Sequence, residues 1–504
     1  MQGKQREGST EDLDAEVIVV GGGPTGMVLA AELALGGVDV LLVERRADQS
    51  MPGSRAGGMH ARTLEMFDQR GIVERFLAAG EPTQTHMFGP ILLDLAGVPT
   101  PHPYGLALPQ ARIEALLAEW VAELPVRRRR EASVEGVEQD AATVAVHLAD
   151  GTALRAAYVV GCDGGRSTVR RASDIGFEGT DATTSYLLAE ATMTGDPPLG
   201  FTFDDQGRHA IGPLADGAGR VRLVVQERPP RPGDRPTAQE LADAVLRVWA
   251  EDFGLHSPTW ISRFSDAARQ ATAYRAGRVF LAGDAAHVHS PLGGQGLGTG
   301  VQDAFNLGWK LAEVVRGIAP EALLDTYHRE RHPVGEQVLE GTLAQTAFLA
   351  TDPHGTALRN TLVGALELPA SRDQLAGRFS ALALRYDLGE GHRLVGRRVP
   401  DVALDTARGR VRMFALLHAA RPVLVDLRGT DAAPSPPEAL PVHVDLVPAR
   451  ADAAWELPIV GAVPAPAALL VRPDGYVAWA GDPTDGSLRA VLGDWFGPPK
   501  APPR

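Results

Sequence analysis

The chain has 504 residues, 44% of them hydrophobic and 22% charged, with a net charge of −14. That length exceeds one core and calls for two or three domains, while the negative balance argues against a nucleic-acid or anionic-membrane surface. No apolar run reaches the roughly 18 residues of a membrane span, and the single cysteine, Cys162, excludes an internal disulfide and CxxC chemistry. The cytoplasm is therefore the expected compartment. Residues 1–14 are polar, lack an apolar signal-peptide core, and are expected to be a disordered leader.

The first predicted strand, Glu16-Val-Ile-Val-Val20, runs into Gly21-Gly22-Gly23-Pro24-Thr25-Gly26. Gly21 permits a sharp strand-to-helix turn, Gly23 removes the side chain where backbone meets a pyrophosphate, and Gly26 lets helix and strand pack closely. Thr25 opens the helix, whose positive end suits phosphate. Gly36-Gly37 is a plausible stop, Val38–Val43 the next strand, and Glu44 lies 18 residues after Gly26, near the spacing of an acid that accepts from a ribose hydroxyl. Arg45 follows it. This block specifies a dinucleotide site.

Further on, residues 127–130 are a run of arginines after Glu123-Leu-Pro125, expected to form a solvated helix-to-strand turn. Tyr158-Val-Val-Gly-Cys-Asp163-Gly164 reads as a strand end, with Cys162 as a packed small residue. From 176 to 274, short alternating runs such as Arg220-Val-Arg-Leu-Val-Val225 separated by Gly/Pro/Asp turns read as an antiparallel sheet. Few charges fall in those runs, so shape rather than ion pairing is expected to select a ligand there. Arg278-Val-Phe-Leu-Ala-Gly-Asp284-Ala-Ala-His287 leads into Pro291-Leu-Gly-Gly-Gln-Gly-Leu-Gly298, with a helix expected from about Val301. His287 and His289, two apart on an extended segment, point to opposite sides, and no metal site is expected. Residues 301–390 look helical. Beyond Leu394, Arg421–Asp426, Val442–Leu446 and Ala468–Val471 read as buried strands, Pro473-Asp-Gly475 as a tight turn, Leu488–Phe496 as a closing helix, and residues 432–437 as a loop.

Three of these segments, in order and correctly spaced, resemble the fingerprints of single-component flavoprotein monooxygenases of the para-hydroxybenzoate hydroxylase family: the glycine block, Asp163-Gly164-Gly-Arg166 and Gly283-Asp284. The likeness runs from about Asp14 to the C-terminus and includes Asp303-Ala-Phe-Asn306 and Glu330-Arg331-His-Pro333. It is strongest toward actinobacterial hydroxylases of aromatic polyketides and the rifampicin monooxygenases. The resemblance implies an α/β fold. A Rossmann-type FAD-binding domain (15–80, 105–175 and 275–345) would carry an inserted antiparallel-sheet substrate domain (81–104 and 176–274). A helical connection (346–393) would lead to a C-terminal thioredoxin-like domain (394–504), redox-inert for want of a CxxC.

The same resemblance implies non-covalent FAD as cofactor, NADPH as transient co-substrate and O2, with oxygen trapped as a C4a-hydroperoxide. The expected substrate is a multi-ring aromatic. Baeyer–Villiger or ring-cleaving oxygenation and a non-oxygenating flavoprotein are the alternatives; a halogenase lacks support because no WxWxIP signature is present. By resemblance, Asp284 accepts from the ribityl chain, Gln110 contacts it, Arg55 lies near flavin and diphosphate, and Val134 offers backbone to adenine. Pro291 turns its carbonyl toward the substrate side, and Gln295, Gly296, Leu297 and Gly298 face the flavin. Relatives usually carry Asn where this chain has Gly298, so a side-chain anchor is missing. Asp163, Arg166 and Arg170 either line a NADPH groove or form a structural network. No catalytic side chain is implied beyond those near the flavin, no nucleic acid or membrane is expected, and the protein is expected to be a monomer or homodimer.

Overall fold

Strand β1 (Ala15–Val20) is apolar at nearly every position, as a strand covered on both faces must be. Helix α1 (Pro24–Leu35) and strand β2 (Val40–Val43) follow, then helices α2 (Ala61–Asp68) and α3 (Gln110–Ala122). Strand β3 (Val126–Arg129) leads to the meander β4 (Val134–Gln139), β5 (Val144–Leu148) and β6 (Ala153–Gly161). β1 lies between β2 and β6, parallel to both, with β3 beyond β2. The computed structural model describes residues 13–51, 53, 57–84, 86–204, 207–214, 219–231, 236–350, 352–429, 440–451, 455–484 and 486–497. Residues 1–12 of the expected leader, the 432–437 loop and Arg55 lie outside them, whereas Asp14 at the leader's end is bonded to Arg155.

The arginine run is a correction: it forms edge strand β3 rather than a turn. Alternate arginines find acids on neighbouring segments, Arg127 on Asp39 and Arg129 on Asp150, each at 2.7 Å. Helix α4 (Thr168–Ala172) comes after β6, and the chain then leaves this sheet. Strands β7 (Ser185–Met193), β8 (Gly200–Asp204), β9 (Gly207–Pro213) and β10 (Arg220–Glu227) come next. Helix α5 (Ala238–Trp249) and strand β11 (Leu255–Ser265) complete a five-stranded sheet of order β8-β9-β10-β7-β11. Every neighbouring pair in it is antiparallel. One face is the core, where Leu187, Ala189, Leu223 and Val225 pack under Leu241 and Val245 of α5. α5 begins with a capping box, Thr237 and Glu240, which satisfies two end donors reciprocally.

The chain rejoins the first sheet through β12 (Arg275–Ala276) and β13 (Val279–Leu281), the latter parallel to β6. Helix α6 spans Gly296–Val315, so it starts five residues before the expected Val301. Glycine is a poor helix former, but here it allows close approach: a Cβ at Gly300 would collide with Thr25 Oγ1 of α1. Helices α7 (Asp325–Phe348), α8 (Pro353–Leu366) and α9 (Pro369–Phe379) follow.

The last unit is a six-stranded sheet. Its strands are β14 (Ala403–Thr406), β15 (Gly409–Arg412), β16 (Val423–Asp426), β17 (Asp445–Arg450), β18 (Ala468–Val471) and β19 (Val477–Gly481), with helix α10 (Ser487–Phe496) closing it. The strand expected at 442–446 is displaced to β17, and β14 and β15 were not anticipated. Buried charge fastens this unit to the rest. Arg70 binds Glu32 at 2.6 Å and reaches the carbonyls of Leu417 and Pro473. Arg472, after β18, takes both carboxylate oxygens of Glu330 on α7, at 2.9 and 2.8 Å. Among the described residues, no helix is long and apolar enough to cross a membrane.

Candidate functional site

The β1–α1 turn explains its glycines individually. Gly21 has φ +108°, and a Cβ there would strike the Cys162 carbonyl; a Cβ at Gly26 would strike the Gly21 carbonyl. Gly23 differs: it caps α1 with ordinary extended backbone, and a Cβ built on it meets nothing within 4 Å. It borders open space rather than protein. No acidic residue occupies the first turn of α1, so its positive end is left for an external anion.

Glu44 ends β2 and turns back onto the same turn. Its Oε2 accepts from Gly22 N at 2.6 Å, and Oε1 accepts from Arg46 N at 2.8 Å and Arg46 Nε at 3.2 Å. Arg46 and Gln49 also donate to the Gly22 carbonyl, at 3.1 and 2.8 Å, and both reach Glu114. These two were missed by sequence reading, which chose Arg45; that side chain is exposed. Gln110, first residue of α3, donates to Glu114 Oε1 at 2.9 Å. Val134 opens β4 two residues beyond Ala132, whose N–H bonds the Glu44 carbonyl at 3.0 Å. A carboxylate has about four lone-pair sites, so Glu44 keeps capacity for a ribose hydroxyl.

The three fingerprints converge. Thr25 touches both the Gly283 and Gly300 positions, and Cys162 abuts Gly21. Burial pushes the Cys162 thiol well up, which suits a packed residue rather than a nucleophile. Asp163 accepts from Thr168 N at 2.7 Å and Val169 N at 3.2 Å, capping α4. Arg170 donates to the Ala285 and Gly165 carbonyls at 2.8 and 2.9 Å and covers Phe177. Asp163 and Arg170 thus form a structural tie between two fingerprints, while Arg166 is exposed.

Asp284 sits in a single 3-10 turn, Gly283–Ala285, with no capping bond from a side chain. Its carboxylate is exposed and accepts no hydrogen bond from the described residues, with His289 as a charge neighbour. The turn carrying it is held from below by Asp303, fully buried on α6. Asp303 accepts from Gly283 N at 3.0 Å, His287 Nε2 at 2.7 Å and Arg331 Nε at 2.7 Å. Burial alone would raise its pKa, but Arg331 and His287 hold it below the usual carboxylate range. Sequence reading quoted Asp303 and Arg331 only as family residues; their spacing gave no sign of this triad. His287 is consumed by Asp303, and His289 Nδ1 by the Ser290 carbonyl at 2.7 Å. No group of three or more His, Cys, Asp or Glu among the described residues could hold a metal.

Pro291 opens a short 3-10 turn, and its carbonyl accepts from Gly294 N at 2.9 Å. Gln295 stands at the N-cap of α6, whose first turn (Gly296, Leu297, Gly298) contains no acid, so its end donors are free for an anion. Beside it lies a cavity of about 650 Å³, lined in part by His60, Thr63, Gln295, Gly298 and Gln302. His60 Nδ1, Thr63 Oγ1 and Gln295 Oε1 are buried without a hydrogen-bond partner, and a Cβ on Gly298 would lie 2.9 Å from Thr63 Oγ1. Partnerless buried polar atoms call for a ligand or water. The open cradle at Gly23, the free Asp284 carboxylate and two helix starts without acids fit a long dinucleotide with an anionic middle.

The fold and this site define a FAD-binding aromatic-ring hydroxylase. Residues 14–342 match the FAD binding domain family and residues 392–499 the aromatic-ring hydroxylase C-terminal family. The chain belongs to that family and is a FAD-dependent monooxygenase. Rifampicin monooxygenase of Streptomyces venezuelae is 43% identical to it over 96% of this chain and 98% of that protein. The solved structure of the OxyS anhydrotetracycline hydroxylase from Streptomyces rimosus superposes with a TM-score of 0.88 at 40% identity, covering 96% of this chain and all of that one. Dialkyldecalin synthase of Streptomyces rugosporus is 38% identical over 96% of this chain and 99% of its own.

Proposed function

We propose that this enzyme hydroxylates a multi-ring, polyketide-type aromatic in secondary metabolism, using NADPH and O2. The observation carrying this reading is full-length similarity, at about the same level, to rifampicin monooxygenase and the anhydrotetracycline hydroxylase. The chemistry that FAD supplies when bound is acceptance of electrons from NADPH and delivery of one oxygen atom from dioxygen. The chain's own part is to bind, orient and exclude water. Gly21, Gly23 and Gly26 bring backbone to the pyrophosphate, Glu44 takes a ribose hydroxyl, and Asp284 takes a ribityl hydroxyl. The first N–H groups of α6, from Gly296 to Gly298, face the flavin pyrimidine and favour negative charge there. Asp303 and Arg331 fix the turn that presents Asp284. The C-terminal unit is read as a thioredoxin-like fold in a structural role, since the chain's one cysteine is Cys162.

A second reading, a flavoprotein that transfers no oxygen, draws on the dialkyldecalin synthase relative. A panel of NADPH-oxidation assays separates them. Polycyclic phenols and quinones should accelerate NADPH oxidation, consume oxygen and yield products one oxygen heavier. Acceleration by single-ring carboxylates alone would sink the polyketide reading, and NADPH oxidation without oxygenated product would favour the second.

A further inference from the structure

The five-stranded sheet has a second face, opposite α5, and its register shows what that face presents. Phe201 pairs with Ala210, Ala210 with Val224, and Val224 with Leu188, so one apolar row crosses four strands. Phe203 pairs with Arg208, and Tyr186 with Phe264, whose ring stacks on it with centroids 5.0 Å apart. Phe201 and Phe203 are 65% and 63% exposed, unusual for two phenylalanines two apart on one strand. A Cβ on Gly53 would collide with the Trp260 ring of β11, and Trp260 shares this face through its pairing with Glu190. The segment joining β2 to α2 therefore lies against the β11 edge of the face, and the row running to Phe201 on β8 extends from there across the sheet.

The charges here run against the expectation of a sheet with few ion-pairing groups, because the register puts Arg208 and Arg222 together on the open face. Arg222 stands 3.9 Å from Glu190. Arg208 pairs with no carboxylate among the described residues; its guanidinium lies 4.8 Å from the Phe201 ring centre. Burial holds its pKa below the ordinary arginine range. A half-buried guanidinium that has lost water and gained no counter-charge is poised for an oxyanion, which it can bind with two parallel N–H donors.

We propose that Arg208 is a specificity-determining anchor for an ionised oxygen group, a carboxylate or an enolised diketone, on a flat multi-ring substrate whose rings lie over Phe201 and Phe203. This rests on the reading of the enzyme as a polycyclic-aromatic hydroxylase and narrows its substrate to acidic members of that class. Flat rings and the aromatic row supply non-directional contact, and the guanidinium fixes which end of the molecule faces it.

The test uses FAD-loaded full-length protein and two matched pairs of probes: anthraquinone carboxylate with its hydroxymethyl analogue, and lawsone with its methyl ether. Tryptophan quenching gives each Kd. Wild type should bind each anion about tenfold to hundredfold tighter than its neutral partner, the range of one charge-assisted pair. Arg208→Gln should erase that preference while leaving neutral affinity unchanged, Arg208→Lys should keep part of it, and Phe201→Ala should weaken anion and neutral probe alike. A preference confined to one pair identifies whether carboxylate or enolate is the group taken. Equal binding of anion and neutral by wild type, an undiminished preference in Arg208→Gln, or no saturable binding of either anion overturns the anchor. Product mass is read in parallel samples of the same proteins and probes supplied with NADPH and oxygen. Loss of preference in Arg208→Gln with no oxygenated product supports the anchor and fails the hydroxylase reading, whereas oxygenated neutral probes without preference do the reverse.

Discussion

Arg472→Met should be among the most destabilising single changes in this protein. The guanidinium is wholly buried, bonds both oxygens of Glu330 and both of Asp474, and lies 4.9 Å from the Trp495 ring centre. Burial alone would raise the Glu330 pKa, yet Arg472 and Lys310 hold it at about 2. Methionine fills most of the volume but leaves two buried carboxylates facing Lys310 and the neutral donors Asn306 and Tyr476 N. Breaking a buried pair from one side costs about 3–5 kcal/mol, which lowers the melting temperature of the C-terminal unit by about 6 °C or more. Because the Glu330 pKa is depressed from 4.5, its contribution is fully present above pH 4.5 and is lost as pH falls toward 2. That acid limb should shrink in the variant. Urea unfolding followed by tryptophan fluorescence measures the loss, and adding Glu330→Gln should recover part of it by removing one stranded charge. A single variant within about 1 kcal/mol of wild type would refute the buried-network argument, since that is the scale of an exposed pair.

Three other outcomes follow from the site. Gly23→Val should give a folded protein without FAD, because the new side chain enters open space where backbone must approach phosphate; stoichiometric flavin in that variant would refute the cradle. Asp284→Ala should weaken FAD binding by roughly 1.5–3 kcal/mol, one charge-assisted hydrogen bond, with little change in the apo melting temperature, since the exposed carboxylate has no described hydrogen bond to lose. His86, stacked on His60 at 4.5 Å, is pulled down to about 4 by burial and by its neighbour. Its contribution is therefore lost as pH falls from 6.5 toward 4, by at most about 3 kcal/mol, and His86→Gln should flatten that limb in a pH series of denaturation midpoints.

What could be read in the sequence was whatever local chemistry dictates. Gly21 and Gly26 announce a backbone contact that admits no side chain, and the alternation in β7 and β10 announces one covered sheet face. What could not be read depends on partners far along the chain. Arg46 rather than Arg45 serves Glu44 because of strand phase at the end of β2. Asp303 reaches Gly283, and Arg472 reaches Glu330, over separations of 20 and 142 residues, which no local pattern encodes. The arginine run looked solvated because Asp39 and Asp150, its partners, are supplied by other segments. Arg208 was hidden for a related reason: only the register showed that it shares the open face with Arg222 and Phe203.

The most direct measurement is mass spectrometry of products formed by FAD-loaded protein with NADPH and isotopically labelled dioxygen, offered acidic polycyclic phenols. The account predicts a product carrying one labelled oxygen atom on the ring system, formed only when FAD, NADPH and the polycycle are all present. NADPH oxidised with hydrogen peroxide as the sole oxygen product across every multi-ring compound tried, or label absent from a chemically altered product, would contradict it.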